Sequence, residues 1–392
     1  MASASARPVQ EDLDVETLPS EWPMYELLRI KKVDELCDPA RRTWTFETAL
    51  VGYSLFPRPA VYGGISLGVG IQAAFETLFD ELGEQDASEF RAYSYQGSFL
   101  GPASAKYALR ITVTSLRSTR SFVTRLITLS QKDPANPAAR RNIVSAICDF
   151  ARRGRTPLVE YHALALNPVT GKAWERPNEL EIHTKLVDEL IDQAEASNDD
   201  EEYGRALVAK AYAGLWDGFI ELKLPKDSLM NQSYWLTHPE LPSTQDHLPI
   251  TERVMVDWFR VVPDLSETSA ARISAERSDC VPFRPIVIQT TCLTFVLDQL
   301  LPLTAIVISK TPRTAAAHDI SLDFSIRFHR EDGLDVNKWS LRQFKSLTAS
   351  AGRSFTQATL WDEDGHTLAS ISQQGHCCPA PPPRRKQGSS RL

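Results

Sequence analysis

The sequence lacks a basic excess: 43 Lys and Arg stand against 50 Asp and Glu, a net charge of −7. Duplex-binding proteins present a basic face, so nucleic acid is excluded as the expected partner. Cysteine is sparse, six in 392 residues, and scattered except for Cys377-Cys378. No CxxC or Cys/His ligand spacing occurs, which argues against a structural metal. Adjacent cysteines bridge each other only under strain, so reduced thiols in an intracellular compartment are expected. Cys148 and Cys292 lie in apolar strings, where a thiol is inert. No G-x-S-x-G elbow occurs, so a Ser-His-Asp triad is not supported. No apolar run is read as reaching the ~18 residues that span a bilayer, and no membrane-spanning segment is expected. Met1 to Glu21 hold no hydrophobic segment, so a secretory signal is not expected either, and residues 1–22 read as a loose tail.

What is present is an ordinary globular composition, 42% hydrophobic and 24% charged, over a length natural for two domains. The C-terminal stretch HCCPAPPPRRKQGSSRL, with its prolines and basic residues, cannot pack as helix or central strand. It closes on Ser390-Arg391-Leu392, a small-basic-Leu pattern close to the peroxisomal S-K-L address. A peroxisomal location and an import receptor as partner are therefore expected.

Helical spacing begins near Tyr62, with Ile65, Val69, Ala73, Phe75, Leu78 and Phe79 in phase. Gly63 and Gly64 at its start imply close backbone approach, to a ligand or to a packed neighbour. Strands are expected at Tyr93 to Leu100, along a long run from Tyr107 to Leu129, and at Arg141 to Phe150. Residues 161–249 read as an insert, with two amphipathic helices broken at Asp199 to Glu202, and then a polar linker. The early order then returns. A strand at Val254 to Val262 is followed by a buried helix at Ile286 to Leu301. Strands follow at Ile320 to His329, Trp339 to Trp361 and His366 to Gln373. Arg120-Ser121-Phe122 and Arg353-Ser354-Phe355 echo each other at the same place in this order, each after a Ser-Leu pair. One helix followed by a strand run, twice, predicts two α+β units, each an antiparallel sheet wrapped around its helix.

Several motifs carry a family resemblance. In the first half these are VYGGISLG (Val61 to Gly68), GSFLGP (Gly97 to Pro102) and SLRSTRSFVTR (Ser115 to Arg125). In the second they are SLDFSIRFHR (Ser321 to Arg330), RSF at Arg353 and QQG at Gln373. In this order the chain resembles the type II acyl-CoA thioesterases, double-hotdog enzymes of bacteria and peroxisomes. The resemblance implies tandem hotdog units at 23–160 and 250–376, flanking the 161–249 insert and followed by a 377–392 tail. It implies an acyl-CoA substrate, with no cofactor and no metal.

The family positions a water with a carboxylate, a hydroxyl and a carboxamide. Residue by residue, these fall on Asp298 in LTFVLDQLL, Ser321 in SLDF and Gln373 in QQG. The sequence departs at Gln374, where the family has Glu, and at Leu297, where it has a small hydroxyl. An Asp among Phe295, Val296, Leu300 and Leu301 has the apolar surroundings that raise a carboxyl's basicity. Backbone N–H groups at a helix start would meet the charge on the carbonyl oxygen. Asp323 reads as structural, bonding backbone, and His329 as packed or hydrogen-bonded rather than catalytic. Arg117, Arg120, Arg125 and Arg353 are candidates for the coenzyme phosphates. Two other readings stay open: a hydratase or dehydratase on the same fold, and an inactive acyl-binding or assembly module.

Overall fold

A computed structural model describes residues 23–51, 60–136, 138–197, 199–233, 237–312 and 315–379. The N-terminal tail and Ser390-Arg391-Leu392 lie outside the described residues. The strands are β1 (Ile30–Lys32), β2 (Thr43–Thr48), β3 (Phe90–Phe99), β4 (Arg110–Ser118), β5 (Phe122–Lys132), β6 (Arg140–Arg152), β7 (Ile220–Lys223), β8 (Met255–Val261), β9 (Ala316–Ser321), β10 (Asp323–Phe328), β11 (Ser340–Ser350), β12 (Arg353–Trp361) and β13 (Thr367–Pro379).

They form one antiparallel sheet in the order β1-β2-β4-β5-β6-β3-β10-β13-β12-β11-β8-β7, with β9 also on β13. The order is mirrored about the β3–β10 pair, where Ser98 faces Asp323 and Ser94 faces Arg327. Each half wraps a helix: Gly63–Leu82 in the first, Pro285–Leu297 in the second. These two central helices pack against each other, and a single apolar core runs through both halves. This is the double-hotdog architecture that the sequence predicts.

The first central helix is buried from Gly64 to Phe79, so tertiary packing rather than an amphipathic stripe holds it. It stops at Gly83, whose φ of 78° suits glycine and whose N–H returns to the Phe79 carbonyl. The second opens with Pro285 in its first turn, where a missing N–H costs nothing. Two of its buried threonines bond within the helix: Thr290 Oγ1 donates to Ile286 O at 2.7 Å, Thr294 Oγ1 to Thr290 O at 2.8 Å.

Several expected elements differ. The helix expected from Ile286 to Leu301 is two helices, the second spanning Leu301–Ile308. Pro302 lacks the N–H that a continuous helix would donate to the Asp298 carbonyl, and Leu300 turns the chain at φ 71°. The stretch Pro285–Ile308 is long and apolar enough to cross a membrane, with mean hydropathy 1.8 over its most apolar 18 residues, contrary to the sequence reading. Of those 18 residues 94% are buried inside the protein, however, and the stretch serves as core. The long strand expected from Tyr107 to Leu129 is the β4–β5 hairpin, its turn closed by Thr119 bonds to Phe122. Trp339 to Trp361 is likewise the β11–β12 hairpin, turning through Ala351 and Gly352, both at positive φ. The Arg-Ser-Phe echo thus sits at or just past the two equivalent turns.

The sequence reading missed the helix Glu267–Glu276 and the short strands β1, β2 and β7. The expected insert carries helices His183–Ser197 and Asp200–Gly214. Its acidic break is the start of the second: Asp199 accepts the N–H groups of Glu201 and Glu202. The segment then joins the sheet through β7, which pairs with β8 from Ile220↔Val261 to Lys223↔Trp258.

Candidate active site

Asp298 ends the second central helix and is 5% exposed. Gln373, 1% exposed, lies on β13, and Ser321 ends β9 on the neighbouring position, opposite Gly375. The three meet. Gln373 Nε2 donates to Asp298 Oδ1 at 2.5 Å, and Ser321 Oγ donates to Gln373 Oε1 at 3.1 Å. The amide therefore has one orientation, nitrogen to the carboxylate and oxygen to the hydroxyl. Burial pushes the Asp298 carboxyl up to about 7, against the bonds from Gln373 and from the Gly64 N–H, which favour its charged form.

Two glycines open the first central helix beside this carboxylate. A Cβ on Gly63 would lie 2.5 Å from Asp298 Oδ2, and one on Gly64 would lie 2.4 Å from the Phe295 carbonyl. What approaches both glycines is packed protein, and it is the second central helix rather than a strand: Gly63 admits the Asp298 carboxylate and Gly64 the Phe295 carbonyl. The Gly64 N–H bonds Asp298, while Gly63 lines the adjoining cavity with a first-turn N–H that has no intrahelical acceptor. Tyr62, just before them, donates to Phe295 O at 3.0 Å and ties the two helices together.

The cavity holds about 810 Å³. Asp298 and Ser321 line it, with Tyr62, Phe99, Trp216 and Leu303 among its apolar walls. Such a volume suits a small-molecule ligand with an apolar part and a few placed polar groups.

Comparisons with known proteins agree on what kind of chain this is. The acyl-CoA thioesterase N-terminal domain matches residues 56–160, and the acyl-CoA thioesterase C-terminal domain matches residues 229–376. This chain belongs to the acyl-CoA thioesterase family. Among solved structures it is similar to the acyl-CoA thioesterase II TesB2 from Mycobacterium marinum, with TM-score 0.54 and 16% identity over 92% of this chain and 98% of that one. A tesB protein from Mycobacterium avium subspecies paratuberculosis is similar at TM-score 0.52 and 15% identity, over 86% and 94%. A hot-dog-fold protein from Alicyclobacillus acidocaldarius has TM-score 0.52 and 14% identity, over 87% and 94%. No curated protein matches the chain. The protein is a thioester hydrolase of the acyl-CoA thioesterase type.

Other residues singled out in this thioesterase fall elsewhere. His329 is exposed at the end of β10 and bonds Ser370 Oγ at 2.9 Å. Asp323 accepts the Gln374 N–H at 2.8 Å, a backbone role. None of the four arginines proposed for the coenzyme lines the cavity. Arg125 is fully buried, bonding Glu81 at 2.7 Å and Thr77 at 2.7 Å. Arg117 lies over the Phe122 ring, and Arg120 and Arg353 are exposed beside the two hairpin turns. The arginine on the cavity wall is Arg141, which the sequence reading did not pick out.

Also missed was the brace behind Asp298. Arg342, wholly buried on β11, donates to Val296 O at 2.9 Å and to Gln299 Oε1 at 2.8 Å. Asp257 on β8 completes the cluster, 2.6 Å from the same guanidinium. Arg342 thus ties β11 to the helix end that carries Asp298, through a Val296 carbonyl that also accepts the Gln299 N–H at 3.1 Å. A signal existed: Asp257 in VMVDWFRVV and Arg342 in SLRQF are charges inside apolar strands, and a buried charge needs a partner.

Proposed function

We propose that this thioesterase releases a free acid and coenzyme A by direct attack of a water that Asp298, Gln373 and Ser321 position. The observation carrying this reading is the 2.5 Å bond between Gln373 Nε2 and Asp298 Oδ1 on the wall of a mostly apolar cavity. Asp298, ionised, takes a proton from the water as its oxygen attacks the thioester carbonyl carbon. A pKa near 7 matches such a base to neutral pH. Gln373 holds the carboxylate by one amide end and is held by Ser321 through the other, so the base arrives oriented. The Gly63 N–H, at the positive end of its helix and on a residue that lines the cavity, is the donor we assign to the charge on the carbonyl oxygen. Collapse of the tetrahedral species breaks the C–S bond, and the thiolate leaves with the proton that Asp298 took up.

Fatty acyl-CoA, and so lipid metabolism, is the substrate class that the cavity's apolar walls favour. A hydratase or dehydratase on this fold would need a histidine beside the carboxylate. Among the described residues none lines the cavity, which favours hydrolysis. The deciding assay follows free thiol release from acyl-CoAs of graded length. Turnover that survives intact in Asp298→Asn and Gln373→Ala would overturn the mechanism, and no release from any acyl-CoA would support the inactive-module reading.

The terminal Ser390-Arg391-Leu392 supports a peroxisomal address read by an import receptor. Deleting these three residues from a fluorescent fusion should turn a punctate, peroxisomal signal diffuse. An unchanged distribution would remove the address.

A further inference from the structure

We propose that Tyr212 and Trp216, on the segment between the two hotdog units, form the end wall of the acyl chamber and set the longest acyl group this enzyme accepts. The proposal rests on the hydrolase reading above and adds to it which residues measure the acyl chain.

The other walls of the cavity come from the hotdog units themselves: the first turn of the first central helix, the β3–β4 connection, and the break after Asp298. Tyr212 and Trp216 do not. Tyr212 is half-buried on the helix Asp200–Gly214, and Trp216 follows that helix, 4% exposed. The Trp216 ring stands edge-on to Tyr62, with centroids 5.4 Å apart, and to Phe295, at 6.4 Å. Tyr62 is the residue that leads into Gly63 and Gly64, and Phe295 lies one turn before Asp298. The indole therefore closes the chamber next to the reacting groups without bonding to them.

This wall is rigid. The Trp216 N–H donates to Ala213 O at 3.0 Å, and the Trp216 carbonyl accepts from Phe219 and Ile220 at 3.0 and 3.1 Å. The chain then enters β7, whose ladder with β8 anchors the turn to the sheet. A wall fixed by a ladder and by edge-to-face rings does not yield to an extra methylene, whereas a floating loop would.

Polarity assigns the two ends. Trp216 packs edge-on against Tyr62 and Phe295, and Phe219 packs on the same Phe295 ring at 6.0 Å, surroundings that favour hydrocarbon. Another part of the lining, Ser104 and Arg141, is polar, and the Arg141 Nε is buried without a partner. That part suits the amide- and phosphate-bearing arm of the coenzyme. The acyl group accordingly runs toward Trp216.

The test measures kcat/KM for a series of straight-chain acyl-CoAs with the full-length protein and with Trp216→Ala, Trp216→Phe and Tyr212→Ala. Trp216→Ala should raise the ratio for the first chain that the wild type rejects, relative to its preferred chain, by roughly tenfold or more. Tyr212→Ala, a half-buried position that keeps the core intact, should move the ratio the same way, and Trp216→Phe should keep the wild-type profile. Titration calorimetry with the same acyl-CoAs, in an Asp298→Asn background that suppresses hydrolysis, reads the wall without turnover: the length at which affinity stops rising should increase on adding Trp216→Ala or Tyr212→Ala. A change by one common factor at every length, or an unaltered profile in both alanine variants, overturns the wall. Absence of wild-type turnover with a length limit that still moves in calorimetry would overturn the hydrolase reading alone.

Discussion

Glu76 stands in the first central helix where Asp298 stands in the second, as far from Gly63 as Asp298 is from Pro285. Strand pairing extends the equivalence. Phe122 faces Ala151 as Phe355 faces Gln374, so Phe150 takes the place of Gln373. Phe90 faces Arg152 as Ser321 faces Gly375, so Phe90 takes the place of Ser321. Both phenylalanines are buried to within 1%. Pro285 and Ile286 replace the two glycines, and Arg284 reaches back to bond Glu76 at 2.6 Å. One half of the pseudo-symmetric pair is thus an open polar site, and the other is filled with rings and an ion pair.

The ion pair makes Arg284 a stability residue. Burial raises the Glu76 carboxyl to about 7 even with the guanidinium beside it. Arg284→Ala leaves that carboxylate buried and unpaired, with an expected loss of about 3–5 kcal/mol. Urea denaturation at pH 8 checks this. Glu76→Gln in the same background should restore part of the loss by removing the charge.

Asp298 predicts the pH dependence of turnover. The base must be ionised, so kcat/KM should rise with pH through an ionisation near 7 and level off above it. Asp298→Asn should lower kcat by roughly 10²–10⁴ and abolish this ionisation. A rate that is flat from pH 5 to 9 in the wild type would assign the base elsewhere.

The same group predicts a stability trade. Its folded pKa, about 7, exceeds the 3.8 of an ordinary aspartate, so the folded state holds the proton more tightly. Below pH 4 both states are protonated and the carboxyl costs nothing. Between pH 4 and 7 the cost of ionising it inside the protein accumulates, and above 7 it is constant. Asp298→Asn should therefore match the wild type in stability near pH 4 and exceed it at pH 8, by up to about 4 kcal/mol. Thermal denaturation at the two pH values reads the difference.

Gly63→Ala separates the site from the fold. Its Cβ would meet a side-chain oxygen of Asp298 rather than backbone, so the carboxylate is displaced while the helix persists. Activity should fall by at least about 10² with near-UV circular dichroism unchanged. Gly64→Ala meets the Phe295 carbonyl at 2.4 Å and should instead lower the melting temperature, since the two helices must separate.

Arg342→Lys tests the brace behind Asp298. A lysine keeps the charge against Asp257 but cannot reach Val296 O and Gln299 Oε1 with the fork geometry. Turnover should drop more than the stability loss explains, with kcat affected rather than KM. A variant with wild-type kcat would make the cluster purely structural.

Local pattern decided much of this protein from sequence alone. Helical spacing after Tyr62, β-branched runs and their repetition determined two sheet-wrapped helices, because periodicity records which faces meet the core. Asp298 in an apolar helix stood out by residue type, whereas Ser321 and Gln373 were singled out only by the family resemblance of their motifs. Tertiary structure alone decided that Ser321, Gln373 and Asp298 form one hydrogen-bonded chain, since β9, β13 and the helix end are far apart in sequence and contact is set by strand pairing. It also decided that Pro302 breaks the apolar run at the carboxylate, that Arg342 and Asp257 stand behind it, and that Trp216 closes the chamber. Those facts depend on register and packing between distant segments, which residue type and spacing do not encode.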